Sequence, residues 1–292
     1  LIDSASDIDA KEAMEKGIYM IPIEVNFNGK TFYDGINLSH NEFFCKLIES
    51  DELPKTSQIN PYRFTEEFEK LTADGSKVIC ITLSSKLSNT YQNAVLAAKN
   101  FSNQVYVIDS LNACIGERIL CDYAIQLIHQ DLEIEEIVNE LNKKKLQIEL
   151  LAVVGTLKYL KKGGRISSVV AFTGEMLSIK PVISIVHGQV KVVGKARGSK
   201  KGNNLLIEKI KDCGGIDFSF PYATAYSGLS DEILKKYLMD SKSIWEEATN
   251  EVPIYQIGST IGTHIGPGGI AVAFFSKNSE SVSYTHLTLP TN

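Results

Sequence analysis

Apolar and polar positions change period repeatedly along the chain, and the changes mark out its elements. Residues 18–27 (IYMIPIEVNF) are rich in β-branched and aromatic side chains, and Asn28-Gly29 separates them from residues 30–33, which predicts a β-hairpin. Residues 41–49 and 61–71 carry the helical spacing, the second with Phe64, Phe68 and Leu71 on one face. Residues 77–83 (KVICITL) and 104–108 (QVYVI) are near-continuous apolar runs, as expected of strands buried on both faces of a parallel sheet. Between them, residues 88–99 read as a helix, and helical patterns follow at 111–129 and 134–145. Strand and helix alternate, which predicts an α/β fold whose first part is a doubly wound layer around a mostly parallel sheet.

The second half has a different texture. Residues 150–154 read as a strand, 156–162 as a short helix ended by Gly163-Gly164, and 168–177 as a second helix. Residues 181–186 turn through His187-Gly188 into 190–195, a second hairpin. A helix at 203–211, a strand at 222–226, a helix at 231–239 and a strand at 270–275 follow. Hairpins mixed with crossovers predict a two-domain chain: residues 1–150 as the N-terminal α/β domain and 151–278 as a C-terminal α+β domain with a mixed sheet. Leu1-Ile2 ahead of Asp3-Ser4 reads as the end of a strand that begins upstream. Residues 279–292 read as a non-native tail, since the closing SVSYTHLTLPTN fits no periodic pattern and resembles a translated sequencing adaptor.

Composition narrows the class. With 43% hydrophobic and 22% charged residues in 292, the chain is neither a disordered polyelectrolyte nor a disulfide scaffold. No apolar run approaches the ~18 to 20 residues that span a bilayer, and no basic segment precedes an apolar stretch in the manner of a secretory signal. The five cysteines show no CxxC spacing, which suggests reduced thiols and a cytoplasmic location. The net charge of −5 conceals an asymmetry: residues 155–202 hold ten basic side chains against one acid, Glu175, so that segment carries about +9 and the remainder about −14. Such a block suits an anionic membrane or an acidic protein, or is simply a solvated face. Nucleic acid is not expected, because the aromatics that interleave a single-strand platform are absent.

Four polar clusters stand after predicted strands or in glycine-rich loops, where an open α/β sheet places ligands. They are Asp3-Ser4, Thr56-Ser57-Gln58, residues 84–90 (SSKLSNT) and residues 262–268 (GTHIGPG). Ser88 occupies an N-cap position, from which its hydroxyl and the N–H groups of Asn89 and Thr90 either serve the helix alone or present donors to an anion. His264, between glycines and Pro267, is expected in a tight loop rather than on a helix. No HxxxH or CxxC spacing predicts a metal site, and no phosphate-binding glycine motif ends in the residues a nucleotide needs, so no cofactor is expected. Ser88 and His264 also suit a nucleophile and base, giving a serine-dependent acyl hydrolase or acyltransferase as the rival reading, although no GxSxG elbow is present.

Taken in order, LIDSASD at the start, TSQ at 56–58, SSKLSNTYQNA at 84–94, VIDS at 107–110, TLKYLKKGGRIS at 156–167, LSIKPVISI at 177–185, KARG at 195–198 and IGTHIGPGG at 261–269 resemble the DegV family. The resemblance implies a two-domain lipid-binding protein, not itself an enzyme, that holds a long-chain fatty acid in a tunnel between its domains. It also implies a role as the lipid-binding subunit of a bacterial fatty-acid kinase, presenting the carboxyl group to a separate ATP-dependent kinase on the way to phospholipid synthesis. The family's headgroup site maps onto Thr56, Ser88 and His264, with Asn89 standing where the family usually has glycine, and a protonated imidazole is expected to help hold the carboxylate. Lys161, Lys162, Arg165, Arg197, Lys200 and Lys201 become candidates for transient contact with an anionic membrane or with the kinase.

Overall fold

The computed structural model of the chain describes residues 1–50, 52–166, 179–248 and 251–278. Strand β1 (Ile2–Asp3) leads to helix α1 (Ala10–Glu15) and strand β2 (Met20–Ile21). The apolar run at 18–27 proves to be two strands, because β3 (Glu24–Phe27) lies in a different sheet from β2. Pro22 stands between them, and proline has no N–H with which to continue a ladder. β3 turns into β4 (Lys30–Tyr33) through Asn28 and Gly29, whose positive φ values of 50° and 76° suit a two-residue hairpin. Helix α2 (His40–Glu49) starts in a capping box between Ser39 and Glu42; then come β5 (Lys55–Ser57) and α3 (Pro61–Thr72), the latter capped by Asn60. β6 (Val78–Thr82), α4 (Thr90–Ala98), β7 (Val105–Asp109), α5 (Ile115–Ile128) and α6 (Ile134–Lys144) complete the first half.

The second half begins with β8 (Ile148–Val153) and α7 (Lys158–Lys162). The hairpin of β9 (Ile179–Val186) and β10 (Gln189–Arg197) is followed by α8 (Ser199–Asp212), β11 (Ala223–Tyr226), α9 (Glu232–Asp240), β12 (Ile254–Gln256), α10 (Ser259–Ile265) and β13 (Ile270–Phe275). The helix predicted at 168–177 and the tail at 279–292 lie outside the described residues.

Three sheets result. A parallel sheet runs in the order β2-β1-β6-β7, and a mixed sheet runs β10-β9-β8-β13-β11-β12, antiparallel except for the β11–β12 pair. The fold is therefore α/β, with a parallel sheet and a separate mixed one. The third sheet, β4-β3-β5, is antiparallel and sets Thr56 opposite Val25. Helix α5 packs on β6 of the parallel sheet and on β8, β11 and β13 of the mixed one. It is buried on most sides, Glu117 and Arg118 included, and Ile115, Ile119 and Leu120 join Ile81 to Leu150 and Ala273 in one core. We propose that the chain divides into two units; since the mixed sheet opens at Ile148, the boundary belongs ahead of β8 rather than at residue 150.

Several carboxyls are buried with this core. Burial pushes Asp3 and Glu149 up to about 7 and Asp7 up to about 6. Each binds its proton more tightly folded than unfolded. The stability this gives is complete below the unfolded value near 4 and is lost as pH rises through the folded value. The unfolding midpoint is therefore expected to fall between about pH 4 and pH 7, with Glu149→Gln flattening the slope. Calorimetry across that window checks this, and a midpoint that rises there contradicts it.

Candidate functional site

A cavity of about 360 Å³ is walled by residues from both halves of the chain, within the ordinary range for small-molecule sites. Its buried walls are apolar, among them Leu83, Ala113, Leu150, Ala152, Ile183 and Ala271. Polar side chains gather elsewhere on the lining: Thr56 from β5, Ser88 and Asn89 from the turn before α4, Arg165 after α7, and Thr260 and His264 from α10.

Thr56 and His264, 208 residues apart, meet directly, with Oγ1 2.9 Å from Nε2. Thr56 is held by β5, a strand too short to read from sequence, which pairs with β3. His264 is not in a loop as expected; it lies in the last turn of α10, and the glycine-rich loop begins only at Gly266. The helix starts on two buried aspartates. Asp34 accepts the Ser259 N–H at 2.9 Å, the Ser259 hydroxyl at 2.5 Å and the Thr260 N–H at 3.2 Å, and Asp7 accepts the Gly258 N–H at 2.8 Å. Two glycines let the imidazole settle. A Cβ at Gly163 would stand 2.3 Å from His264 Nδ1, and one at Gly266, where φ is +70°, would stand 2.2 Å from the Tyr159 ring.

The charge at this end differs from expectation. Burial, reinforced by the nearby Arg165 charge, pushes His264 down to about 4, so the imidazole is neutral at physiological pH and does not supply the positive charge expected of it. Arg165 supplies it instead. Read from sequence as part of the surface block, it is half-buried in the cavity lining, donating from Nε to the Leu87 carbonyl at 3.2 Å and from a terminal nitrogen to the Gly163 carbonyl at 2.5 Å. The other residues of that block, Lys161, Lys162, Arg197, Lys200 and Lys201, are exposed.

A family model described as the DegV family matches residues 1–277. The chain belongs to the DegV family. A DegV domain-containing protein of Caldanaerobacter subterraneus subsp. tengcongensis is 34% identical over 276 residues, covering 94% of this chain and 97% of its own length. Among solved structures, a DegV family protein from Thermus thermophilus, described by its fatty acid binding, matches with a TM-score of 0.83 at 27% identity over 94% of this chain and 98% of that one. A fatty acid binding DegV family protein from Streptococcus agalactiae matches with a TM-score of 0.82 at 26% identity, covering 95% and 98%.

Other sequence expectations change at this DegV site. Ser88 is not the N-cap of α4. The cap is Asn89, which makes no side-chain cap bond, while Ser88 Oγ accepts the Thr90 N–H at 3.2 Å and shares a hydrogen bond with Thr90 Oγ1 at 2.9 Å. Asn89 has φ −82°, so the backbone angle at this position does not require the glycine that the resemblance led us to expect. The Asp3-Ser4 cluster is absent from the cavity lining: Asp3 accepts the Leu83 and Ala5 N–H groups, both at 2.9 Å, and Ser4 accepts that of Ile23 at 3.0 Å. Sequence reasoning missed Arg165 and Thr260 as lining residues. A predicted helix through 259–265 would have set Thr260 and His264 on one face, but Gly262 obscures that pattern.

Chemically, the arrangement suits an amphipathic anion better than acyl transfer. His264 Nε2 faces Thr56, and Nδ1 has no hydrogen-bond partner among the described residues, none of which offers a carboxylate that orients the ring as a general base. Among the described residues, no cluster of His, Cys, Asp and Glu is arranged to hold a metal ion, and no helix is long and apolar enough to cross a membrane.

Proposed function

We propose that this protein binds one long-chain fatty acid between its two units, with the tail along the apolar wall and the carboxylate among Thr56, Ser88, Asn89 and His264, beside Arg165. The observation that carries the reading is the make-up of the cavity, which gathers hydroxyls, a neutral imidazole and a guanidinium beside a long apolar wall. DegV relatives described as binding fatty acids support it.

Magnitudes divide the work. About fourteen methylenes at ~0.8 kcal/mol each give roughly 11 kcal/mol of gross transfer energy before association costs. Hydrogen bonds to a charged headgroup contribute ~1.5 to 3 kcal/mol apiece. The tail supplies most of the affinity, and the polar groups select a carboxylate and fix its position. Thr56→Val and Ser88→Ala are each expected to weaken retention about tenfold. Native mass spectrometry of the purified protein, followed by denaturation and identification of the released lipid, tests this; unchanged occupancy in both variants contradicts the site.

In this reading the protein is a cytoplasmic carrier without catalysis of its own, and it presents the bound carboxyl group to a separate ATP-dependent fatty-acid kinase. Lys161 and Lys162 support a docking role, since they are exposed on α7, the helix whose Leu160 lines the cavity. Arg197, Lys200 and Lys201 extend the basic surface available to the kinase or, during ligand exchange, to an anionic membrane. Phosphorylation of the bound acid by an added kinase, and its loss on charge reversal at Lys162, would bear on this half of the proposal.

A further inference from the structure

Gly262 sits in the middle of α10, the helix that carries His264, and no turn or positive φ calls for a glycine there. Glycine is a poor helix former, so alanine would suit α10 better as a helix. What keeps a side chain out is α2. A Cβ at Gly262 would stand 2.5 Å from Phe43 Cε1 and 3.1 Å from Phe44 Cζ. Neither ring has room to yield, since both residues are fully buried and the rings meet edge to face with centroids 5.1 Å apart. The same rings underlie the other half of the carboxylate site. Phe43 and Phe44 share a core with Val25 of β3, and Val25 is the residue that pairs with Thr56 of β5. One apolar cluster therefore supports both partners of the 2.9 Å contact between Thr56 and His264, Thr56 through the β3–β5 pairing and His264 through the close seat of α10 on α2.

We propose that Gly262 is a positioning residue: by admitting the edge of the Phe43 ring, it sets His264 at the spacing from Thr56 that the fatty-acid carboxylate needs. This rests on the fatty-acid reading above. Gly262 and His264 are two residues apart, about 200° around the helix, so a push from the α2 side drives the imidazole away from its present seat. On that far side Gly163 already lies against the ring, and it leaves no slack. The effect falls on the headgroup, because no residue of α2 lines the cavity. Hydrogen bonds weaken steeply as distance and angle slip, whereas burial of a tail is non-directional.

The test uses the full-length protein, freed of bound lipid and titrated with hexadecanoate and with hexadecanol, which has the same tail and no carboxylate. Gly262→Ala is expected to lower the preference for the acid over the alcohol about tenfold, by weakening hexadecanoate binding while hexadecanol binding stays near the wild-type value. Combining it with Phe43→Leu, which removes the ring edge, should recover most of that preference. A glycine with a merely structural role would weaken both ligands alike or neither. That outcome, or a loss that the double variant does not recover, overturns this inference and leaves the fatty-acid reading standing. If Gly262→Ala does not fold, the double variant decides: folding with the wild-type preference supports the inference, and any other result overturns it. Failure of the wild-type protein to bind hexadecanoate overturns the fatty-acid reading and this inference with it.

Discussion

Replacing Arg118 with methionine is expected to lower the unfolding free energy by about 3 to 5 kcal/mol, the range for breaking a buried ion pair from one side. Arg118 is 1% exposed on α5, yet both terminal nitrogens of its guanidinium are engaged from outside that helix. It grips Glu12 of α1 with two bonds of 2.5 and 2.8 Å, donates to the Asp7 carbonyl at 2.5 Å, and lies 3.6 Å from the centre of the Tyr255 ring on β12. One side chain thereby ties α1 and the turn after β1 to β12 of the mixed sheet. Burial by itself would raise the Glu12 carboxyl, but the bonds and charge of Arg118, with help from Lys16, hold it below its usual range. Without Arg118 the carboxylate keeps only Lys16, at 2.9 Å. The double variant Glu12→Gln with Arg118→Met should recover much of the loss, since it leaves no stranded charge. Urea unfolding of the single and double variants measures this. A single variant within 1 kcal/mol of wild type would show that the network is dispensable.

Asp34→Ala is expected to cost about 3 kcal/mol of stability and to weaken fatty-acid binding at least tenfold, although Asp34 is not part of the cavity lining. Its carboxylate accepts three hydrogen bonds at the start of α10, two from backbone N–H groups and one from the Ser259 hydroxyl. Removing it strands buried donors at one end of a helix whose other end carries His264. A frayed α10 shifts His264 and Thr260 together, so affinity falls without any change in the groups proposed to touch the ligand. Asp34→Asn, which keeps an acceptor, should be intermediate in both properties. Paired measurements of thermal unfolding and of hexadecanoate affinity check the coupling. Lost stability with unchanged affinity would mean that α10 holds its position without the cap.

Much of this fold is legible before any coordinates are seen, and the exceptions share a cause. β6, β7 and β13 were readable because buried strands need long apolar runs, and both hairpins were readable because Asn28-Gly29 and His187-Gly188 favour the positive φ values they adopt. Helices α2, α3 and α6 were marked by one-sided apolar spacing and by recognisable starts. The short elements β5, α10 and β12, of three to seven residues, were not readable as elements, because what orders them is pairing with distant partners rather than their own pattern. Two of them, β5 and α10, bring Thr56 and His264 to the cavity.

For the same reason, the motifs pointed to residues but not to their states. Thr56, Ser88 and His264 were candidates on chemistry and resemblance alone, and all three line the cavity. Burial made His264 neutral, and backbone carbonyls at Leu87 and Gly163 drew Arg165 out of a charge block and into the wall. Residue types and their spacing are properties of the chain, so fold class, turns and candidate groups can be read along it. Protonation and pairing depend on which groups are brought near and how much water is excluded, and folding across some two hundred residues sets both.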